Sequence, residues 1–186
     1  MSPIGPRILV TVGTDHHRFD RLIGWIDHWA ARHPDADLIV QHGTASPPAH
    51  GTAVVMLGYD DLVAEMQRAD VVVAQGGPAT IMDARSVGQR PIVIPRRGHL
   101  HEVVDDHQVA FTEWMAAKAL VWLATEEGGL HTLIDAALAD PTLVRIPPER
   151  GAAADTITAF RAVVDPLTNE RASRRSWRRR SPAGPG

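Results

Sequence analysis

From Ala69 to Gln108 the chain reads ADVVVAQGGPATIMDARSVGQRPIVIPRRGHLHEVVDDHQ, and this stretch restricts the possible folds most. Its apolar run at 71–73 has no alternating polar face, the pattern of a strand buried on both sides in a parallel sheet. Gly76-Gly77 follow, and Pro78 then opens a helical segment reaching Arg85. Proline suits a first helical turn, where its missing N–H has no intrahelical partner to lose. Paired glycines let the backbone approach a ligand that a Cβ would exclude. Strand, glycine turn and helix start together present free N–H groups and a positive dipole end to an anion such as a pyrophosphate. Asp83, one turn into the helix, is a carboxylate able to accept from two ribose hydroxyls. A second strand, 91–95, leads into a polar loop and the cluster Asp105-Asp106-His107-Gln108. The combination predicts a nucleotide-sugar pocket.

The rest of the chain repeats the strand-then-helix rhythm. Residues 7–12 (RILVTV) form a strand ending at Gly13-Thr14. Apolar residues at Phe19, Leu22, Ile23, Ile26, Trp29 and Ala30 recur at helical spacing, predicting an amphipathic helix over 19–31 that stops before Pro34. Strands are expected at 37–41, 53–57 and 119–123, and helices at 60–68, 105–119 and 129–138. Alternation of this kind means an α/β, Rossmann-like open parallel sheet of about six strands with helices on both faces. Ligands of such sheets lie beyond the carboxyl ends of the strands, where strand order reverses. Gly13-Thr14, Gly43, Gly58 and Gly76-Gly77 all follow apolar runs and are expected to gather along that edge.

Composition narrows the class. At 186 residues the chain suits one domain with a proper core. No apolar run approaches the ~20 residues that cross a bilayer. The N-terminal MSPIGPRILVTVG lacks the charged and apolar regions of a signal peptide, so a cytoplasmic protein is expected. Without cysteine there is no disulfide, thiolate metal site or thiol nucleophile. The formal net charge of −3 hides an asymmetry, because six arginines fall within 171–180. The expected organisation is one domain over 1–166, with a weakly amphipathic last helix at 152–164, and a basic, disordered tail over 167–186. The tail suits an anionic membrane surface or a partner. Nucleic acid is not expected, since the body offers no matching basic face.

At VTVGTDHHRFDRLI, AQGGPATIMDARSVGQRPIVIP and EVVDDHQ the chain resembles the C-terminal, nucleotide-sugar-binding half of GT-B glycosyltransferases of the family-28 type. It resembles most the stand-alone catalytic subunit of split UDP-sugar transferases, in dolichol-linked oligosaccharide synthesis and in bacterial capsule and exopolysaccharide synthesis. The family motif H-G-G-x-G-[ST]-x-x-E falls on the run from Gln75 to Asp83. The resemblance implies that Gly76, Gly77 and Thr80 line a diphosphate, with Gln75 beside them, and that Asp83 holds the ribose. The family's [DN]-H-Q falls on Asp106, His107 and Gln108, which implies contacts to sugar hydroxyls. Gly13 and Thr14 match the first-strand turn facing the phosphates and the cleft, and Glu102 matches an acidic position upstream of the last motif. Gln75, Ala79 and Asp83 replace the family's His, Gly and Glu.

A diphosphate leaving group must be met by amides, a helix dipole and arginine when no metal is used. Arg96 or Arg97 is expected to supply the last. Adjacent pairs such as Asp60-Asp61 diverge, and His99 with His101 lack a third ligand, so no metal and no cofactor are expected. The base that deprotonates the acceptor is unassigned, with His16, His17 and Glu102 as candidates. The resemblance places that base largely in an N-terminal half. The implied protein is therefore a donor-binding subunit, peripheral at the inner face of the membrane, working with a membrane-anchored acceptor subunit on a lipid-linked acceptor. The alternatives are a non-catalytic nucleotide-sugar module or sensor, and half of a sugar-nucleotide epimerase. The remaining histidines and Trp25, Trp29, Trp114 and Trp122 are expected to serve the core or an interface.

Overall fold

In the computed structural model, residues 5–104 and 107–149 are described. The expected last helix, the 166/167 boundary and the arginine-rich tail lie outside them. Among the described residues six strands form one fully parallel sheet: β1 (Arg7–Thr11), β2 (Asp37–Gln41), β3 (Thr52–Val54), β4 (Val71–Gln75), β5 (Ile92–Ile94) and β6 (Trp122–Leu123). Their spatial order is β3-β2-β1-β4-β5-β6. Helices α1 (Asp20–Ala30), α2 (Tyr59–Arg68), α3 (Pro78–Ser86) and α4 (His107–Ala117) lie between strands, and α5 (Glu127–Ala139) follows β6. This is a Rossmann-like fold, and the order reverses between β1 and β4, the crevice where such sheets bind ligands.

The apolar runs split between two faces because successive side chains of a strand point opposite ways. Ile8 and Val10 of β1, with Val71 and Val73 of β4, pack against α1 and α5 through Leu22, Ile26, Trp29, Leu130 and Ile134. Leu9 and Val72 face the other side, against Met66 of α2 and Ala84 of α3. All five residues of β4 are buried, as expected of a central strand covered twice. Each such aliphatic side chain contributes about 1.5–3 kcal/mol when fully buried.

Two strand assignments shift for local reasons. The third strand ends at Val54, because Val55 and Met56 leave the sheet and stand 63% and 48% exposed. The sixth begins only at Trp122. Ala119 adopts a left-handed conformation (φ 56°) just past α4, and Trp122 then joins the sheet by donating to Pro91 O at 3.0 Å. Among the described residues no helix is long and apolar enough to cross a membrane.

Candidate functional site

The turns after β1 and β4 meet at the switch point, and Gln75 fills the space between them. A Cβ at Gly13, where φ is +75°, would fall 2.2 Å from Gln75 Nε2, and one at Gly77 would fall 2.8 Å from the same atom. The left-handed backbone at Gly13 calls for glycine, and at both positions a side chain would displace the amide of Gln75. Gly76 is closed from another direction, since a Cβ there would lie 2.8 Å from Thr112 Cγ2 of α4. The expected gathering of glycine turns on one edge is thus realised, with α4 packed over it.

Gly77 is the N-cap of α3, makes no side-chain capping bond, and is followed by Pro78 in the first turn. The amides of that turn have no intrahelical partner, so the positive end of the helix carries no side-chain cap. Gln75 Nε2 donates to Thr80 Oγ1 at 3.0 Å, while Gln75 Oε1 is buried without a partner. Both side chains are nearly inaccessible, at 7% and 8% exposure. Thr14, by contrast, is exposed at the mouth of the β1 turn.

Asp83 sits half-buried on α3, and its Oδ1 accepts from the Tyr59 hydroxyl at 3.2 Å. Burial raises the Asp83 carboxyl above the ordinary carboxylate range, against the opposing pull of the Tyr59 hydrogen bond. Tyr59 was not foreseen. It opens α2, 65% exposed, three residues past the exposed Met56. No local pattern in the sequence pairs residues 24 apart on different helices; the pairing follows from α2 and α3 sharing one face of the sheet.

His107 is the first residue of α4. Gln108 reaches back to the glycine turn: its Oε1 accepts from the Arg96 backbone N–H at 3.3 Å and would lie 3.2 Å from a Cβ at Gly76.

Two expectations need correcting. Arg96 does not present its charge to the open edge. Its side chain is 0% exposed, and it donates to Val12 O and His17 O (2.8 Å each) and to Glu102 O (2.9 Å), with the Phe19 ring 4.6 Å below. It clamps both ends of the β1–α1 loop to the segment after β5. Glu102 is likewise no free base. Its carboxylate accepts from Arg21 Nε at 2.8 Å, Arg21 Nη2 at 2.7 Å and the Arg97 backbone N–H at 2.9 Å. This bidentate ion pair, with Glu102 5% exposed, holds the loop against α1. Arg97, the other expected phosphate ligand, turns its guanidinium to Thr125 O at 2.7 Å.

Among the described residues, Asp15, His16 and His17 bring possible ligand atoms within 4.8 Å of one another. The arrangement is closed on itself. Asp15 Oδ1 already accepts from the His17 backbone N–H (2.8 Å) and ring Nδ1 (2.6 Å), while the His16 side chain is 84% exposed. His99 and His101 join no such group.

Residues 7–145 match the family described as Glycosyltransferase family 28 C-terminal domain. Over 123 residues, 64% of this chain and 31% of the relative, the chain is 29% identical to the UDP-N-acetylglucosamine–N-acetylmuramyl-(pentapeptide) pyrophosphoryl-undecaprenol N-acetylglucosamine transferase of Halorhodospira halophila. It is 32% identical over 59 residues to UDP-N-acetylglucosamine transferase subunit ALG13 of Yarrowia lipolytica, covering 32% of this chain and 28% of that protein. The chain thus spans less than a third of the length of either relative. Among solved structures, the glycosyltransferase of kitacinnamycin shares the fold with a TM-score of 0.59 at 18% identity, over 87% of this chain and 39% of that one. With a glycine turn at the switch point, an uncapped helix behind it and a family match over most of its length, the chain belongs to the glycosyltransferase family 28 C-terminal domain family.

Proposed function

We propose that this chain binds a UDP-sugar and serves as the donor half of a glycosyltransferase, passing the sugar to a lipid-linked acceptor held by a membrane-anchored partner subunit. The observation that carries this reading is the uncapped N-terminus of α3 at the β1/β4 switch point, with Asp83 further along the same helix. Charge building on the departing diphosphate meets fixed amides and a helix dipole there, with no reorganisation needed as the bond breaks. The orphaned Gln75 Oε1 supports the same reading. Turned over, the isosteric amide accepts from the Thr80 hydroxyl and puts its NH2 where the unpartnered oxygen lies, a donor suited to a phosphate oxygen.

Asp83 grips the ribose, and the exposed Tyr59 that touches it offers a ring against which the base packs. Gln108, beside Gly76, and His107 next to it meet the sugar, while Gly13 and Thr14 face the phosphates from the β1 side. Metal-free catalysis belongs to this proposal, since amides do the work of the cation. The partner subunit and work at the inner membrane face rest on likeness to relatives named as a transferase subunit and as an undecaprenol-linked transferase.

Calorimetry with UDP, GDP and dTDP tests the reading. UDP should bind best, and Asp83→Ala should weaken it at least about tenfold, the loss of a charged hydrogen-bond acceptor worth roughly 1.5–3 kcal/mol. Because burial disfavours ionised Asp83, its charge lowers fold stability as pH rises through its raised pKa, so the variant should melt no lower than the parent at neutral pH. Equal UDP affinity in parent and variant would refute the ribose assignment.

A further inference from the structure

Three of the chain's ten histidines line one open cavity of about 560 Å³: His16 and His17 from the loop between β1 and α1, and the exposed His101 from the segment after β5. Arg96 brings those two stretches together. Its Nη1 donates to His17 O at 2.8 Å and to Glu102 O at 2.9 Å, so His17 lies beside the chain neighbour of His101. Asp15 prepares one of the rings. Its Oδ1 accepts from the His17 backbone N–H at 2.8 Å and from the ring Nδ1 at 2.6 Å. An ionised carboxylate only accepts, so the ring proton sits on Nδ1 and the lone pair stays on Nε2. Those two bonds close Asp15 as a ligand, but they put His17 in the usual state of a metal-bound imidazole, its tautomer and ring direction fixed by a carboxylate behind it. The His16 ring already lies 4.0 Å from that of His17, centroid to centroid, and its side chain is 84% exposed. The ligand atoms grouped around this pair fall within 4.8 Å of one another; about an ion with bonds of about 2.0–2.1 Å they would stand roughly 3.3 Å apart, a closure of ~1.5 Å that turning an exposed side chain supplies. The cavity favours a cation, because its arginines are spent. Arg18 pairs with Asp20 at 2.9 Å and Arg21 with Glu102 at 2.7 Å.

We propose that His16, His17 and His101 bind a divalent transition-metal ion of the zinc class, with Asp15 as the positioning residue for His17. Imidazole nitrogens suit zinc, nickel and copper, whereas magnesium and calcium take oxygen ligands. Three histidines leave the fourth position of a tetrahedral ion to water. The sequence leaves His99 and His101 without a third ligand, and the fold supplies the missing pair from a loop some 85 residues earlier in the chain. Once bound, the ion ties the β1–α1 loop to the segment after β5 from the cavity side, as Arg96 ties them from within. The inference stands without the donor reading and adds no metal to the transfer itself.

The experiment titrates zinc chloride into the full chain by calorimetry, with circular dichroism to show that each variant is folded. The parent should take up zinc at one saturable site. His17→Ala and His101→Ala should each weaken binding at least about tenfold, and Asp15→Ala by about ten- to hundredfold, the loss that follows when the partner behind a ligating histidine is removed. Asp15→Glu, which keeps the carboxylate, should recover part of that loss. His99→Ala, two residues from His101 but outside the lining, should bind as the parent does, which separates a built site from the general affinity of exposed histidines. Long-range 15N spectra should show zinc shifting Nε2 of His17 while Nδ1 keeps its proton, a signature that loss of loop order does not produce. Parental affinity in His17→Ala or His101→Ala overturns the site, as does equal weakening by His99→Ala or a parent that takes up no zinc. Affinity indifferent to Asp15→Ala overturns the positioning role.

Discussion

Replacing Arg96 separates a phosphate ligand from a structural clamp. Arg96→Ala orphans three carbonyl acceptors, Val12 O, His17 O and Glu102 O, and empties the space over Phe19. An orphaned buried acceptor costs about 1–3 kcal/mol. The sum is reduced because the parent also bears the cost of burying the guanidinium, visible as a pKa lowered by burial against the opposing pull of Asp15 and Glu102. Breaking a buried charged cluster by removing one member typically costs about 3–5 kcal/mol, and that is the expected net loss. At about 2–4 °C per kcal/mol for a chain of this size, the melting temperature should fall by roughly 10 °C. Arg96→Lys keeps the charge but not the fork that reaches three carbonyls, and should lose about half as much. Urea unfolding followed by circular dichroism gives the stability, and calorimetry with UDP gives the affinity. The clamp predicts a large stability loss, with UDP affinity in the folded Lys variant within a few-fold of the parent. Stability within about 1 kcal/mol of the parent alongside lost UDP binding would refute it and return Arg96 to the phosphates.

Gly76→Ala places a methyl 2.8 Å from Thr112 Cγ2, which forces α4 away from the turn; about 1–3 kcal/mol of stability should be lost, with weakened UDP binding, both readable on the same instruments. The Thr112→Ser companion, which removes the obstructing methyl, should restore part of that loss. Acid should loosen the β1–α1 loop. Burial raises Asp15 and Asp20, but hydrogen bonds from His17 and Ser46 and the charges of Arg96 and Arg18 bring both below the ordinary carboxylate range. Their contribution is therefore complete above the unfolded value near 3.8 and is lost as pH falls through the lower folded values. Melting temperatures taken from pH 6 to pH 3 should decline at the acid end less steeply in Asp15→Asn than in the parent.

Local pattern carried most of the fold. The apolar run of β4, the glycine pair and Pro78 announce a buried strand followed by a helix start, because burial, turn geometry and the missing proline N–H act within a few residues. The spacing of Leu22, Ile26 and Trp29 announces the buried face of α1 for the same reason. Where left-handed backbone delayed a strand, at Ala119, or loss of cover ended one, at Val55, the sequence run looked longer than the strand it made.

The sequence by itself determined that this chain forms a parallel α/β sheet with its glycine turns on one edge, since these follow from interactions between near neighbours. Only the tertiary structure decided what the long polar side chains do. Arg96 meets His17 O and Val12 O across 79 and 84 residues, Arg21 meets Glu102 across 81, and Tyr59 meets Asp83 across 24. Arginine after a strand reads the same in sequence whether it faces a phosphate or three carbonyls. The choice is made by which loops the strand order brings together, and the order β2-β1-β4-β5 brings the β1 turn beside the segments after β4 and β5.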